Sequence, residues 1–454
     1  MKYLDEIKGL IKNTGIFFLG MLGSKIIIYL LTPIYTSYLT TDEYGIGDIY
    51  YTTIQILIPI ITVKISSAMY RFAILKEKPL GKLFSNGVTM ILFSGAVLLC
   101  IYSFIYNIFK LDVKPYVFVG MFCVVALNEV FGQFSKSLDK NAVYAESSII
   151  TALSMFAINY LMLVKLHRGV EGYFNGIIFS NVISIIFIFL RGKLYSYFNI
   201  KNINMELFKE MISYSWPLVP GALSFWIMQV SDRYMVLFIS GVSMAGILAT
   251  AYKIPSICGT LVNIFIQAWE ISSIKTVNQE KYHMYVYKKY FSLVIIASTL
   301  LIFFSNIICG FLFRGDFIIA SKYVPALIYS YIFCYFQSFL ESIFISIKET
   351  KTIMYSTVIG ALVNIILNIV LINIWGLMGA VISTGISYFI VYLIRYGRLY
   401  KSKRMMKYSF YDIWLLLLEL GLVVGVTAEI NRLITYIIAV AILIFSGAKL
   451  LEKA

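Results

Sequence analysis

Histidine is almost absent: two residues in 454, His167 and His283, both in polar connections and neither with a second metal ligand close by in sequence. The five cysteines, Cys100, Cys123, Cys258, Cys309 and Cys334, all fall in apolar runs, and none has a CxxC or metal-ligand spacing. A cysteine so placed reads as a small hydrophobe, so neither a metal centre nor a disulfide framework is expected. Charge is scarce too, at 13% of residues, where a soluble globular chain carries roughly 25%. No GxxxxGK phosphate loop occurs, which leaves no nucleotide-driven pump within this chain. Every predicted outer connection is short, whereas a polysaccharide polymerase or ligase needs a sizeable external loop to carry its chemistry. The chain is therefore not expected to be an enzyme.

Apolar residues fill that space. They make up 60% of the chain, in runs of about 20 residues, the length that crosses a hydrocarbon core as a helix. A membrane barrel shows weak alternating segments of about ten residues instead, so the fold class is an all-α polytopic membrane protein. Fourteen spans are predicted, at 15–38, 46–68, 86–108, 116–135, 146–164, 173–190, 215–239, 245–270, 290–312, 324–346, 353–373, 377–394, 411–428 and 433–449. The opening stretch, "MKYLDEIKGLIKNTG", is too polar for a signal peptide and is expected to stay attached. With this count, Lys and Arg in the connections favour one side by roughly four to one, which places both termini in the cytoplasm. The net charge of +15 is then a topology signal and calls for no nucleic acid. A bias toward Lys, Ile, Asn, Tyr and Phe fits a bacterial chain from an AT-rich genome, hence a multi-pass protein of a cytoplasmic membrane.

An ungapped shift of 201 positions brings two halves into register. Asp5 meets Glu206 and Lys8 meets Lys209, in short amphipathic helices expected at the cytoplasmic interface before spans 1 and 7. "EYGIGDIYY" meets "MAGILATAY", which pairs Gly45 with Gly246 and Tyr51 with Tyr252, and Gly172 and Ser180 meet Gly379 and Ser387. The organisation read from this is an N-lobe of six helices at 1–200, a C-lobe of six at 201–400 and two additional helices at 401–454. Parallel repeats of this kind are one way to build a secondary transporter.

Prolines and embedded cations select the same helices. Pro33, Pro59, Pro217, Pro220 and Pro255 fall in the leading hairpin of each lobe, where they are expected to act as hinges. Lys25, Lys64, Arg233 and Lys253 lie inside predicted spans, one in each helix of those hairpins. A Lys or Arg at the bilayer centre costs about 2.5 to 3.5 kcal/mol, so each must face protein, water or a ligand. A shared basic cavity is the simplest common account, with Lys64 nearest the cytoplasmic mouth. Asp232 sits directly before Arg233, and neighbouring helical residues point about 100° apart. Arg233 is expected to face the cavity while a neighbouring helix holds Asp232 as a supporting, orienting group. The embedded acids Glu129, Glu270 and Glu341 are candidates for carrying a coupling proton or sodium ion, or for pairing with loop cations; Glu419 lies near the end of the chain.

The stretch "SWPLVPGALSFWIMQVSDRYMVLFISGVSMAGILATAYKIP" resembles helices seven and eight of the polysaccharide transporters, the Wzx-type oligosaccharide flippases of the multidrug/oligosaccharidyl-lipid/polysaccharide superfamily. "KTIMYSTVIGALVNIILNIVLINIWGLMGAVISTGISY", with Asn364, Asn368, Gly376 and Gly379, is similar to that family's helices eleven and twelve. The resemblance implies a V-shaped, two-lobed carrier related to the MATE transporters. It also implies transfer of undecaprenyl-diphosphate-linked oligosaccharide to the outer leaflet by alternating access, with the diphosphate received by Lys25, Arg233, Lys253 and Lys64. No cofactor is implied beyond a coupling ion or the membrane potential. The implied partners are the lipid-linked glycan, membrane lipids and the polysaccharide polymerase and chain-length machinery. Two relatives compete with this reading: a lipid II flippase, usually of fourteen helices, and a drug or cation antiporter, which would gather acids rather than cations in its cavities.

Overall fold

The computed structural model describes residues 23–275, 280–347, 349–404 and 410–451, and every regular element among them is helical. The amphipathic helix expected near residue 4, and the start of the first predicted span, lie outside the described residues. Two compact units emerge, one comprising the described residues up to Leu39 together with Ile46–Leu223, the other Thr40–Gly45 together with Ser224 onward.

In the first unit, helical residues 23–30 lead through a turn at Leu31 into α1 (Thr32–Tyr38), with Pro33 in its first turn, where a missing N–H costs nothing. A broken pair follows, α2 (Thr41–Ile61), whose residues up to Gly45 belong to the second unit, and α3 (Ile65–Ile74), bent by 58°. Val63 and Lys64 both take left-handed backbone angles at the break, φ +50° and +52°, a conformation that non-glycine residues rarely adopt. Pro59 lies within α2, ahead of that break rather than at it. The carbonyl freed at Ile61 accepts the Ser94 hydroxyl at 3.2 Å, which is how a membrane helix tolerates interruption. Then come α4 (Leu80–Phe109), α5 (Pro115–Ser137), α6 (Asn141–Asn159, continued by a π turn over Tyr160–Lys165) and α7 (Gly169–Arg191).

A short amphipathic helix, α8 (Met205–Ser215), matches the one read at this position. Its N-cap, Asn204, accepts from Leu207 N at 2.8 Å, and Asn86 exchanges two 3.1 Å bonds with the Asn204 backbone. The Lys78–Glu210 ion pair at 2.7 Å adds a surface tether, and Glu210 holds the Lys78 ammonium above its usual range.

The second unit holds α9 (Val219–Ser240) from Ser224 onward, α10 (Val242–Ala251), α11 (Lys253–Lys275), α12 (Glu280–Phe303), α13 (Ser305–Leu312), α14 (Val324–Ser346), α15 (Thr350–Trp375), α16 (Leu377–Lys401), α17 (Phe410–Thr427) and α18 (Arg432–Leu451). Pro217 sits in the 3-10 turn Trp216–Leu218 and Pro220 in the first turn of α9. The helices α10 and α11 are bent by 41°. Pro255 explains that bend, because its ring crowds the carbonyl four residues back, at Ala251, where α10 ends. The Tyr335 hydroxyl donates to the Pro255 carbonyl at 2.9 Å and holds the bend from outside.

Among the described residues, nine helices are long and apolar enough to cross a membrane, and eleven if each bent pair counts as one span. α9 and α17 are helices over two further predicted spans; α9 carries Gln229, Asp232 and Arg233 in its interior. One span boundary needs correction. The apolar run ended at 394, which left Arg395 in a loop, but α16 continues to Lys401 and Arg395 is 2% exposed inside the bundle. Hydropathy stops at the first charge, whereas a helix continues wherever that charge finds partners.

Candidate functional site

The adjacent acid and base of α9 converge on one tyrosine. Asp232 is 3% exposed and accepts three donors: the Tyr252 hydroxyl, the Thr384 hydroxyl at 3.4 Å and the Arg233 backbone N–H at 2.9 Å. The Arg233 guanidinium lies over the face of the same Tyr252 ring, 5.3 Å from its centroid. Their 100° divergence is met by a side chain large enough to be touched at two places, at its hydroxyl and on its ring. Tyr252 occupies the junction of α10 and α11, so the bend that Pro255 imposes is also what presents the ring to α9.

Lys253, the next residue, extends the arrangement. Its ammonium lies 5.9 Å from the centroid of Tyr44, which is 2% exposed and packs edge-on against Phe317 at 5.7 Å. Cation–π support of this kind holds a charge in an apolar setting at a gain of about 0.5 to 2 kcal/mol. On the other side of Asp232, Ser231 donates to Asn364 Oδ1 at 2.8 Å, and Asn368 Nδ2 donates to the same oxygen at 3.0 Å. Among the described residues, Asn368 Oδ1 is buried without a hydrogen-bond partner. The second unit thus gathers Asp232 and Arg233 of α9 on Tyr252, with Lys253 of α11 over Tyr44 and the α15 amide pair bonded to Ser231.

The other basic candidates belong to the first unit: Lys25 exposed on helical residues 23–30, and Lys64 half-buried at the break between α2 and α3. Among the acids, Glu129 Oε1 accepts from Ser66 at 2.7 Å, and Glu270 is half-buried on α11. Glu341 pairs with Arg395 at 2.8 Å. That guanidinium also donates to the Gln337 carbonyl, Ser356 Oγ and Thr357 Oγ1, each at 3.0 Å, which joins α14, α15 and α16. Glu419 is 0% exposed and accepts from Ser298 and, at 3.5 Å, from Thr299, while its Oε2 is buried with no hydrogen-bond partner among the described residues. Among the described residues there is no group of three or more His, Cys, Asp or Glu side chains able to hold a metal.

Tyr252 and Thr384 escaped the sequence reading, as did the role of Arg395. Only Tyr252 left a trace, as the repeat partner of Tyr51; Tyr252 and Thr384 lie 20 and 152 positions along the chain from Asp232, to which both donate.

Residues 10–269, more than half of the chain, match the family described as polysaccharide biosynthesis protein. The chain belongs to this family. An uncharacterized membrane protein of Methanocaldococcus jannaschii, MJ1068, is 22% identical over 305 residues, which cover 62% of this chain and 57% of that relative's length. Among solved structures, the lipid II flippase MurJ in its inward closed conformation superposes with a TM-score of 0.66 at 17% identity, over 95% of this chain and 98% of that one. An inward-facing multidrug resistance MATE family transporter of the MOP superfamily gives 0.69 at 14% identity, over 84% and 95%. A MOP superfamily transporter from Pyrococcus furiosus gives 0.58 at 15% identity, over 87% and 96%. The family and the apolar helices describe a multi-pass membrane protein of the polysaccharide biosynthesis family, and its fold is the one shared by the MurJ and MATE structures.

Proposed function

We propose that this family member carries an undecaprenyl-diphosphate-linked oligosaccharide, a repeat unit of O-antigen, capsule or exopolysaccharide, from the cytoplasmic to the outer leaflet of a bacterial cytoplasmic membrane by alternating access. Its termini are on the cytoplasmic side. The observation that carries this reading is the pair Arg233 and Lys253, held over tyrosine rings beside the bend between α10 and α11. Two cations maintained at that cost inside apolar helices call for an anion, and charge-assisted contacts to phosphate are of the strong kind. Lys25 and Lys64 supply basic groups on the first unit, and Asp232 orients Arg233 through Tyr252. The polyprenyl tail stays in lipid while the head group crosses. An inside-negative potential assists, by about 2.3 kcal/mol per charge per 100 mV. Glu129 and Glu270 remain the candidates for a coupling proton or sodium ion. The polymerase and chain-length machinery would take the delivered glycan, and no reaction is catalysed in the passage.

A second reading, lipid II as cargo, draws on the superposition with MurJ, which extends over 95% of the chain. Both cargoes share the diphosphate, so transport itself is the test. In proteoliposomes, the chain should speed the appearance of labelled undecaprenyl-diphosphate oligosaccharide in the leaflet reached by an impermeant probe. Lipid II moved in preference would transfer the proposal to the second reading. Movement of an organic cation alone would end both.

A further inference from the structure

A cleft of about 210 Å³ opens within the first unit between α5, α6 and α7, lined chiefly by Asn128, Glu129, Tyr144, Ser147, Thr151 and Asn181. All three helices are long and apolar enough to cross a membrane, so this polar lining is set in a membrane-spanning layer, where such groups are costly and mark function. Its walls are ordered. Ser184 donates to Asn128 Oδ1 at 2.9 Å, Asn128 donates to Asn181 Oδ1 at 2.9 Å, and Asn181 donates to the Ile177 carbonyl at 2.8 Å. Glu129 is fixed through Oε1 by Ser66, one turn or less beyond the break at Lys64.

The balance of donors and acceptors describes the ligand. Ser147 and Ser148 donate to the Tyr144 carbonyl at 2.7 and 3.1 Å, and Thr151 to the Ser147 carbonyl at 2.8 Å. Each hydroxyl spends its proton on its own helix and is left to present lone pairs. Together with Glu129, the lining accepts more than it donates, so it suits a molecule rich in donors. Lys136, whose ammonium lies 4.6 Å over the Tyr144 ring, sets a positive charge near the negative one of Glu129, which leaves little preference for net charge. The volume is below the roughly 300 to 1,000 Å³ of a pocket for drug-sized ligands and far above what a bare cation fills.

We propose that this cleft holds one neutral pyranose ring of the transported glycan, with Glu129 and the α6 hydroxyls accepting from the sugar hydroxyls. The inference rests on the transport reading above and adds to it a sugar-selecting subsite in the first unit, separate from the cations of the second.

The test uses the purified full chain in lipid nanodiscs. Saturation-transfer NMR with methyl β-D-glucopyranoside should show contact, and the signal should fall about fivefold or more in Glu129→Ala and in the near-isosteric Thr151→Val. In proteoliposomes, Thr151→Val should slow undecaprenyl-diphosphate glucose by roughly tenfold and leave bare undecaprenyl diphosphate unaffected. Absence of the glucoside signal, its persistence in both variants, or equal loss for both carriers would overturn the subsite. A wild-type chain that moves neither carrier yet binds the glucoside through Glu129 keeps the sugar site and loses only the transport reading.

Discussion

Gly45 and Gly246, the pair that the repeat shift of 201 positions aligns, lie backbone against backbone. A Cβ on Gly246 would strike the Thr41 carbonyl and come within 2.9 Å of Gly45 N, and one on Gly45 would strike the Val242 carbonyl. One turn away, Thr41 and Ser243 share a 2.7 Å hydrogen bond between their hydroxyls. Close backbone approach through small residues is how helices associate in lipid, where apolar burial gives no advantage. Each glycine is thus required by its own repeat equivalent.

Gly246→Ala should therefore lower stability by about 1 to 3 kcal/mol, as overpacking does, because both obstacles are backbone and cannot rotate away. Thermal unfolding in detergent measures it. An unchanged midpoint would mean that the helices separate without cost.

Arg233→Ala and Lys253→Ala should each abolish surface glycan export while the protein persists in the membrane, as read by immunoblot of membrane fractions alongside glycan staining. Tyr252→Phe keeps the ring under Arg233 and removes the hydroxyl donated to Asp232. It should retain export but lose about 1 to 3 kcal/mol of stability, the cost of leaving a buried acceptor short of a donor. Full export by both cation variants would detach those residues from the cargo.

Arg395 and Glu341 invite a comparison of two substitutions. Glu341→Gln leaves a buried guanidinium without its counter-charge, while Arg395→Met removes the charge altogether. The Glu341 side chain is 42% exposed, and solvent screening reduces the effect of its loss to about 1 to 3 kcal/mol. Glu341→Gln should be the less stable of the two, and its transport should keep the wild-type dependence on proton and sodium gradients. A changed gradient dependence would make Glu341 a coupling residue.

Glu419 fastens α17 to α12 through Ser298 and Thr299. Glu419→Gln keeps an acceptor in place and should cost under about 1 kcal/mol, whereas Glu419→Ala should cost about 1 to 3 kcal/mol by stranding the hydroxyls in a cavity. Limited proteolysis of the connection between α16 and α17 should accelerate only in the alanine variant. Equal rates in both would show that the carboxyl does not secure the helix.

The helices were legible because lipid imposes a length and a polarity that a sequence must display openly. Pro255 announced a bend, and the bend is where its ring meets Ala251. Pro59 announced one as well, yet the break came at Val63 and Lys64, whose left-handed backbone has no residue signature such as glycine. Arg233 and Lys253 stood out against apolar neighbours. Arg395 did not, since it belongs to a cationic run that reads as a loop until Glu341, 54 positions earlier, is seen to meet it. Long-range partners such as Thr384 for Asp232, or Ser298 for Glu419, leave no local pattern to read.

The guanidinium of Arg395 reaches one acid, two hydroxyls and one carbonyl on α14, α15 and α16, and so rivets three helices into a single block. Such a block resists shear. Any change of shape in the second unit is therefore expected outside that block, with α14, α15 and α16 moving as one.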